Sequence, residues 1–245
     1  MRVDIWSDIS CPWCYIGKAR FKKALATFAH QESVEVVHRS FELGPYLTHV
    51  LPTTGAAHAK KYGMTPPQAR AAEEKLARIA RKEGLGYVVA SRDHGNTFDL
   101  HRLLHLAATQ NRAERLLTLF YEGNFAAERT IYDPQHQVEL AVRAGVSEAD
   151  ARAVLTDKQA YAARVRADEA EAAQLGITGV PFFVVDGTYG LSGAQPAEAF
   201  TELLERAWAD RRAQLTTPDT GGQAGCDAEG ACTVQHATDA DAPST

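Results

Sequence analysis

The stretch Val3-Asp4-Ile5-Trp6-Ser7-Asp8-Ile9-Ser10-Cys11-Pro12-Trp13-Cys14 (residues 3–14) decides how this chain is read. Its first five residues alternate and are rich in strand formers, the pattern of a β-strand. Ser10 then offers an N-cap. Pro12 suits the first turn of a helix, where its missing N–H leaves no bond unmade. Tyr15, Ala19, Leu25 and Phe28 carry the helix to about residue 28. Two cysteines therefore stand at a strand-to-helix junction.

Working outward, Val34 to Phe41 reads as a second strand, which makes the opening unit β-α-β. A Gly/Pro-bearing loop from Gly44 to Pro52 follows. Thr65-Pro66 then looks like an N-cap with proline at the first helical position, opening a helix that runs to about Glu83 and stops at Gly84. Further helix starts are expected at Asn96-Thr97, Asn111, Asp133-Pro134, Ser147 and Asp157, with stops at Gly145 and Gly176. A short extended piece near Gly86–Ala90 interrupts the run. Strand character returns at Val180–Val185, Asp186-Gly187 signals a hairpin, and Tyr189–Ser192 is the return strand. Pro196 opens a last helix to about Arg212.

The order β-α-β, helical insert, β-β-α is the thioredoxin arrangement interrupted between its halves. The expected fold is thus α/β, a thioredoxin fold with a large all-helical insertion. Residues 1–43 form its N-terminal half, 44–176 the insertion, 177–213 the C-terminal half and 214–245 a flexible acidic tail.

Composition limits the alternatives. The chain has 245 residues, is 45% hydrophobic and carries a net charge of −5. Residues 213–245 hold five acids and neither Lys nor Arg, so the remainder has as many acids as bases. A neutral body argues against a nucleic-acid or anionic-membrane footprint. No secretory signal is visible ahead of the first strand, and no apolar run approaches the ~18 residues a membrane span needs. A cytoplasmic setting is expected.

In a reducing compartment the four cysteines, Cys11/Cys14 and Cys226/Cys232, favour redox or metal chemistry over structural bridges. Short intervals favour pairing within each couple, and exchange between the couples stays open. A nucleophilic sulfur works as thiolate, and a helix N-terminus stabilises it with partial positive charge and unpaired N–H groups. Cys11 is positioned for this, and Cys14 inside the first turn is more shielded. Cys11 is accordingly expected to form the mixed disulfide and Cys14 to resolve it. C-x-x-C alone is also half of a zinc knuckle. The strand context, Pro12 and the β-β-α end favour redox chemistry, and no metal site is assigned.

In a thioredoxin-type fold the proline before the third strand faces the C-x-x-C across a cis peptide bond. That role falls to Pro181, leaving the backbone of Val180 to pair with an extended substrate. The plainer reading is a strand-opening proline. Pro12 and Trp13 complete the expected substrate-binding set, with Trp13 shaping a groove.

Ser7–Lys18, Asn96–Leu103 (Asn-Thr-Phe-Asp-Leu-His-Arg-Leu) and Gly176–Phe183 (Gly-Ile-Thr-Gly-Val-Pro-Phe-Phe), in that order, resemble the DsbA family and its cytosolic FrnE-like branch. The resemblance spans about residues 3–212. It implies a site formed by Cys11, Cys14 and the loop at Pro181, and it places the Asn96 region beside the thiols. The same family includes glutathione-dependent isomerases, which typically carry serine where this chain has Cys11. Some FrnE-like proteins also resemble this chain in carrying a further C-terminal cysteine pair.

Other features are weighed against plainer roles. Cys226 and Cys232 are read as a tethered secondary redox pair, against an incidental disulfide or a metal site with His236. Asp8 is either a proton relay or a turn and capping residue. His101 and His105 are spaced like metal ligands, but Arg102 stands where H-E-x-x-H needs glutamate. Ala160–Ala173 reads as a solvated helix face.

The expected function is oxidation, reduction or isomerisation of protein disulfides, of oxidase or isomerase type. It needs no organic cofactor, takes glutathione or another thiol as an optional co-substrate, and requires a redox partner. The alternatives are a glutathione-using isomerase or tailoring enzyme for a small aromatic or polyketide-like molecule, and a metal-buffering cysteine protein.

Overall fold

The structure, a computed structural model, describes residues 1–52, 63–89, 93–127 and 130–213. Four strands form one sheet in the order β2-β1-β5-β6. β1 (Arg2–Ser7) runs parallel to β2 (Glu35–Ser40) and antiparallel to β5 (Phe182–Val185), which pairs with β6 (Tyr189–Ser192). β1 is central, so both its faces are covered and residues Val3 to Ser7 are all buried. Register divides the faces. Ile5 stands opposite Phe183 and Trp6 opposite Phe182, and directly opposed residues share a face.

On the first face, Phe183 meets Phe21 of α1 (Pro12–Thr27) at 5.5 Å and Phe200 of α8 (Ala197–Ala213) at 4.6 Å. On the second, Trp6 and Val184 pack with Ala172 and Ile177. The hairpin between β5 and β6 turns through Asp186 (φ 47°) and Gly187 (φ 68°), the left-handed pair that a tight turn needs.

Between β2 and β5 come α2 (Pro66–Lys82), α3 (Phe98–Thr109), α4 (Ala113–Phe125), α5 (Pro134–Ala144), α6 (Glu148–Thr156) and α7 (Ala162–Gln174). The starts at Thr65, Asp133 and Ser147 form as expected. Thr65 N–H donates to the Gln68 side chain at 2.8 Å, and Asp133 accepts from Gln135 N–H at 3.0 Å. Helices α2 to α6 share one apolar cluster with Ile9, Tyr15 and Ile16. Within it Tyr15 stacks on Tyr121 and Phe125, each at 5.4 Å.

Several expected boundaries differ. Asn111 ends a helix instead of opening one. Its φ of 56° lets Arg112 N–H return to Ala107 O at 2.8 Å, a left-handed C-terminal cap. Asp157 closes α6, and α7 begins only after Tyr161 (φ 60°). The guanidinium of Arg102 takes the carbonyls of Asp157 at 2.8 Å and Ala160 at 3.1 Å, which withdraws them from any helix. Residues 86–89, part of the expected extended piece, form neither helix nor strand, and Val88 N–H donates to Phe125 O at 2.8 Å. The short ladder instead joins β3 (Leu51–Pro52) to β4 (Asp93–His94).

α7 is also more than a solvated face. Val165, Asp168 and Ala172 are buried, and the carbonyl of Asp168 accepts from Trp6 Nε1 at 2.9 Å. Alanine-rich composition hid the role because one inward carboxylate does not disturb an otherwise polar pattern.

Candidate active site

β1 delivers the chain into the turn Ser7–Ser10, and α1 leaves it at Cys11. Ser10 is not the N-cap. Cys11 is, with extended backbone (φ −91°, ψ 113°) and no side-chain cap. The amide of Ser10 instead donates to the Asp8 carboxylate at 3.0 Å. Without a capping oxygen, the first N–H groups of α1 remain available to the Cys11 sulfur.

Cys11 and Cys14 are both free thiols and both buried. The hydrogen bond from Cys14 holds the Cys11 thiol below its ordinary range, helped by the N–H groups of Cys14 and Trp13. Burial and the Asp8 charge oppose this without prevailing. Burial, and then Cys11 itself, pushes the Cys14 thiol well above its ordinary range. Of the two thiols, Cys11 thus ionises the more readily.

Across from α1, the Val180–Pro181 peptide is cis, and the Val180 carbonyl lies 3.7 Å from Cys11 Sγ. Gly17 makes this approach feasible. A Cβ there would stand 3.0 Å from Pro181 Cγ and 3.4 Å from Ala194 Cα. Trp13, 41% exposed, forms the outer rim beside Cys11.

The floor of the site is polar and wholly enclosed. Asp8 is 0% exposed and accepts from Ser10 N–H and from Leu43 N–H at 2.6 Å. His101 Nε2 lies 3.8 Å from Asp8 Oδ1, an ion-pair contact beyond hydrogen-bond length. Burial raises the Asp8 carboxyl, but the facing His101 together with the two amides outweighs it and holds the group below its ordinary value. Asn124 of α4 donates to Ile9 O at 3.0 Å, fixing the turn from the helical side.

Asn96, one residue ahead of Thr97, the N-cap of α3, accepts from Phe98 N–H at 2.8 Å. It also donates to Glu42 Oε1 at 2.8 Å. Glu42 is buried and paired with Arg166 at 2.6 Å. Burial raises its carboxyl, with Arg166 pulling the other way and Glu169 adding to the rise.

His101 and His105 do not converge on one point. His105 Nε2 is 3.1 Å from Asp168 Oδ2, whereas His101 faces Asp8. Among the described residues no group of three or more His, Cys, Asp or Glu could hold a metal ion. Cys226 and Cys232 lie outside the described residues. Gly17, Glu42 and Asn124 were not singled out from sequence. Gly17 sits within the Cys-Pro-Trp-Cys-Tyr-Ile-Gly run, where a glycine inside a helix is itself a signal of close approach.

Residues 2–205 match the DSBA-like thioredoxin domain family. This chain is a member of that family. As a DSBA-like protein it stands among the thiol–disulfide oxidoreductases. It is similar to a probable DsbA oxidoreductase from Streptomyces coelicolor, with 56% identity, 96% of this chain and 100% of that one covered, and a TM-score of 0.84. The uncharacterized protein YwbO from Bacillus subtilis is 25% identical over 217 residues, 86% of this DSBA-like chain and 98% of that protein. The cytosolic disulfide reductase DsbM from Pseudomonas aeruginosa shares the fold, at 18% identity and a TM-score of 0.58 over 88% of this chain and 100% of that one. Among the described residues no helix is long and apolar enough to cross a membrane.

Proposed function

We propose that this DSBA-like protein exchanges disulfides with protein substrates through Cys11, with Cys14 as the resolving thiol. The observation that carries the reading is the position of Cys11 Sγ at the uncapped N-terminus of α1, 3.7 Å from the Val180 carbonyl. An extended substrate could pair with the Val180 backbone beside Cys11, with Pro12, Trp13 and Pro181 lining its path.

The exchange is reversible. In reduction, the Cys11 thiolate attacks a substrate disulfide, forming the mixed disulfide and releasing one substrate thiolate, which takes a proton. Cys14 then loses its proton and attacks Cys11 Sγ. The Cys11–Cys14 disulfide forms and the second substrate thiolate leaves. The substrate gains two electrons and the protein loses two. In oxidation the same steps run backward. In isomerisation a second substrate thiol resolves the mixed disulfide in place of Cys14. A stabilised Cys11 thiolate favours the reduced protein, and so favours the oxidase or isomerase direction.

No organic cofactor enters these steps. Glutathione or another thiol is the suggested partner for regeneration, a role supported by the shared fold with DsbM, a structure of which carries GSH. Likeness to a cytosolic reductase supports a cytoplasmic setting. Cys226 and Cys232 would serve as a tethered pair exchanging with Cys11 and Cys14, and Asp8 would act electrostatically on both thiols. As domain units we propose residues 1–43 and 177–213 for the thioredoxin halves, 44–176 for the insertion and 214–245 for the tail.

The deciding experiment equilibrates the protein in glutathione redox buffers, with Cys226→Ser/Cys232→Ser in parallel. A couple near about −120 to −180 mV supports the oxidase or isomerase role, and one near about −270 mV a reductase. Absence of any reversible dithiol couple sinks the reading. A shift in exchange kinetics in the tail variant supports the shuttle.

A further inference from the structure

We propose that His101 is a positioning residue of the thiol site, whose buried ring compensates the Asp8 carboxylate beneath the cysteines and thereby sets how readily Cys11 exists as thiolate. This rests on the dithiol reading above and deepens it.

The argument begins with Asp8. A carboxylate with 0% exposure needs a compensating charge as well as hydrogen bonds. The amides of Ser10 and Leu43 supply the bonds, but no net charge. His101 on α3, itself 2% exposed, presents the facing ring, which compensates the carboxylate when protonated. Its Nε2 is buried and makes no hydrogen bond. At 3.8 Å from Oδ1 the ring acts through charge and not through a directional bond. A purely structural histidine in such a place would be expected to find a bonding partner.

The neighbours on every side fit this role. From the β1–α1 turn the ring meets Asp8. From the segment after β2 it acts on Glu42, which is already paired with Arg166 of α7 and bonded to Asn96. Glu169 of α7 shares Arg166 at 2.6 Å. From α4, Tyr121 OH lies 3.5 Å from the Asp8 carbonyl. Of the three other titratable groups of α3, Asp99 pairs with Arg102 and Lys158, and the remaining two are engaged elsewhere. Arg102 binds carbonyls of the α6–α7 connection, and His105 pairs with Asp168.

On α1, Cys11 and Cys14 both experience the Asp8 charge. Left uncompensated, that carboxylate would repel a Cys11 thiolate in the same low-dielectric region. With His101 protonated that repulsion is reduced, and the helix N-terminus acts on Cys11 against a smaller opposing charge.

The test compares the full-length protein with His101→Gln, Asp8→Asn and the double variant, reading Cys11 thiolate by ultraviolet absorbance against pH. His101→Gln should reduce the thiolate fraction at a fixed pH about tenfold, one unit in midpoint. The same substitution in the Asp8→Asn background should have no effect. Equal loss in both backgrounds, or no loss in either, overturns the proposal.

A reversible dithiol couple that is indifferent to His101 refutes only this inference. Absence of the couple in the unaltered protein refutes the functional reading itself.

Discussion

Asp168 of α7 and Arg39 of β2 form a buried ion pair, Oδ1 to Nη1 2.8 Å, that fastens a helix of the insert to the edge of the sheet. The other carboxylate oxygen accepts from Ser40 N–H at 2.8 Å and meets His105 Nε2 at 3.1 Å. Both oxygens of a carboxylate that is 3% exposed are thus engaged, from two different elements.

Asp168→Asn should therefore destabilise the protein by about 1.5–3 kcal/mol, the worth of a hydrogen bond to a charged group, since Arg39 keeps its pair with Asp4. Burial raises the Asp168 carboxyl, but His105, Ser40 and Arg39 more than reverse this and hold it below its ordinary value. A depressed carboxyl stabilises fully above its unfolded pKa of about 3.9 and loses that contribution as pH falls through the folded value. Urea unfolding from pH 7 down to pH 3 should show the gap between Asp168→Asn and the unaltered protein closing at the acid end.

Arg102 is 0% exposed and bonds the Asp157 and Ala160 carbonyls as well as Asp99. Arg102→Met should cost about 3–5 kcal/mol, because the Val154 and Ala160 carbonyls and the Asp99 carboxylate would lose a buried charged partner. Arg102→Lys should recover only part of this, since an ammonium cannot reproduce the fork. Denaturant midpoints of the two variants check both statements.

Gly17→Ala sets two effects against each other. Alanine favours a helix interior by about 1 kcal/mol. Its Cβ would meet Pro181 Cγ at 3.0 Å and press α1 away from the loop that faces Cys11. Stability should change by less than about 2 kcal/mol, whereas disulfide exchange should fall at least several-fold. Thermal unfolding and insulin reduction, measured on the same sample, separate the two.

The two thiols should differ in reactivity. Alkylation of Cys11 by iodoacetamide should have its midpoint below about 8.5, the value of a free thiol, while Cys14 in the same protein stays unmodified at neutral pH. Cys14→Ala should accumulate a mixed disulfide at Cys11, visible as a mass adduct. Cys11→Ser should abolish turnover. Full activity of Cys11→Ser would remove Cys11 from the mechanism.

Much of this was legible because the signals are local. Alternating Val3–Ser7, Pro12 inside a first turn and the Asp186-Gly187 pair each specify a backbone conformation from neighbouring residues alone. The structure has β1, α1 and the β5–β6 hairpin where those signals lie. The cysteines were found because C-x-x-C at a strand-to-helix junction states both spacing and setting. Asn111 and Asp157 were misread for the converse reason. Both residue types open helices and also close them, and the choice fell to the Ala107 carbonyl at one site and to the distant Arg102 at the other.

What the chain determined by itself was the order of elements, the thioredoxin arrangement and the placing of two cysteines at the first strand-to-helix junction, since these follow from periodicity, turn chemistry and one short motif. Only the tertiary structure decided that Asp8 faces His101, that Asn96 reaches Glu42, that Gly17 admits Pro181, and that Asp168 ties α7 to β2. Those contacts join residues far apart along the chain, and a buried charge acquires its meaning from whichever partner the fold brings to it. No spacing within a segment records that partner.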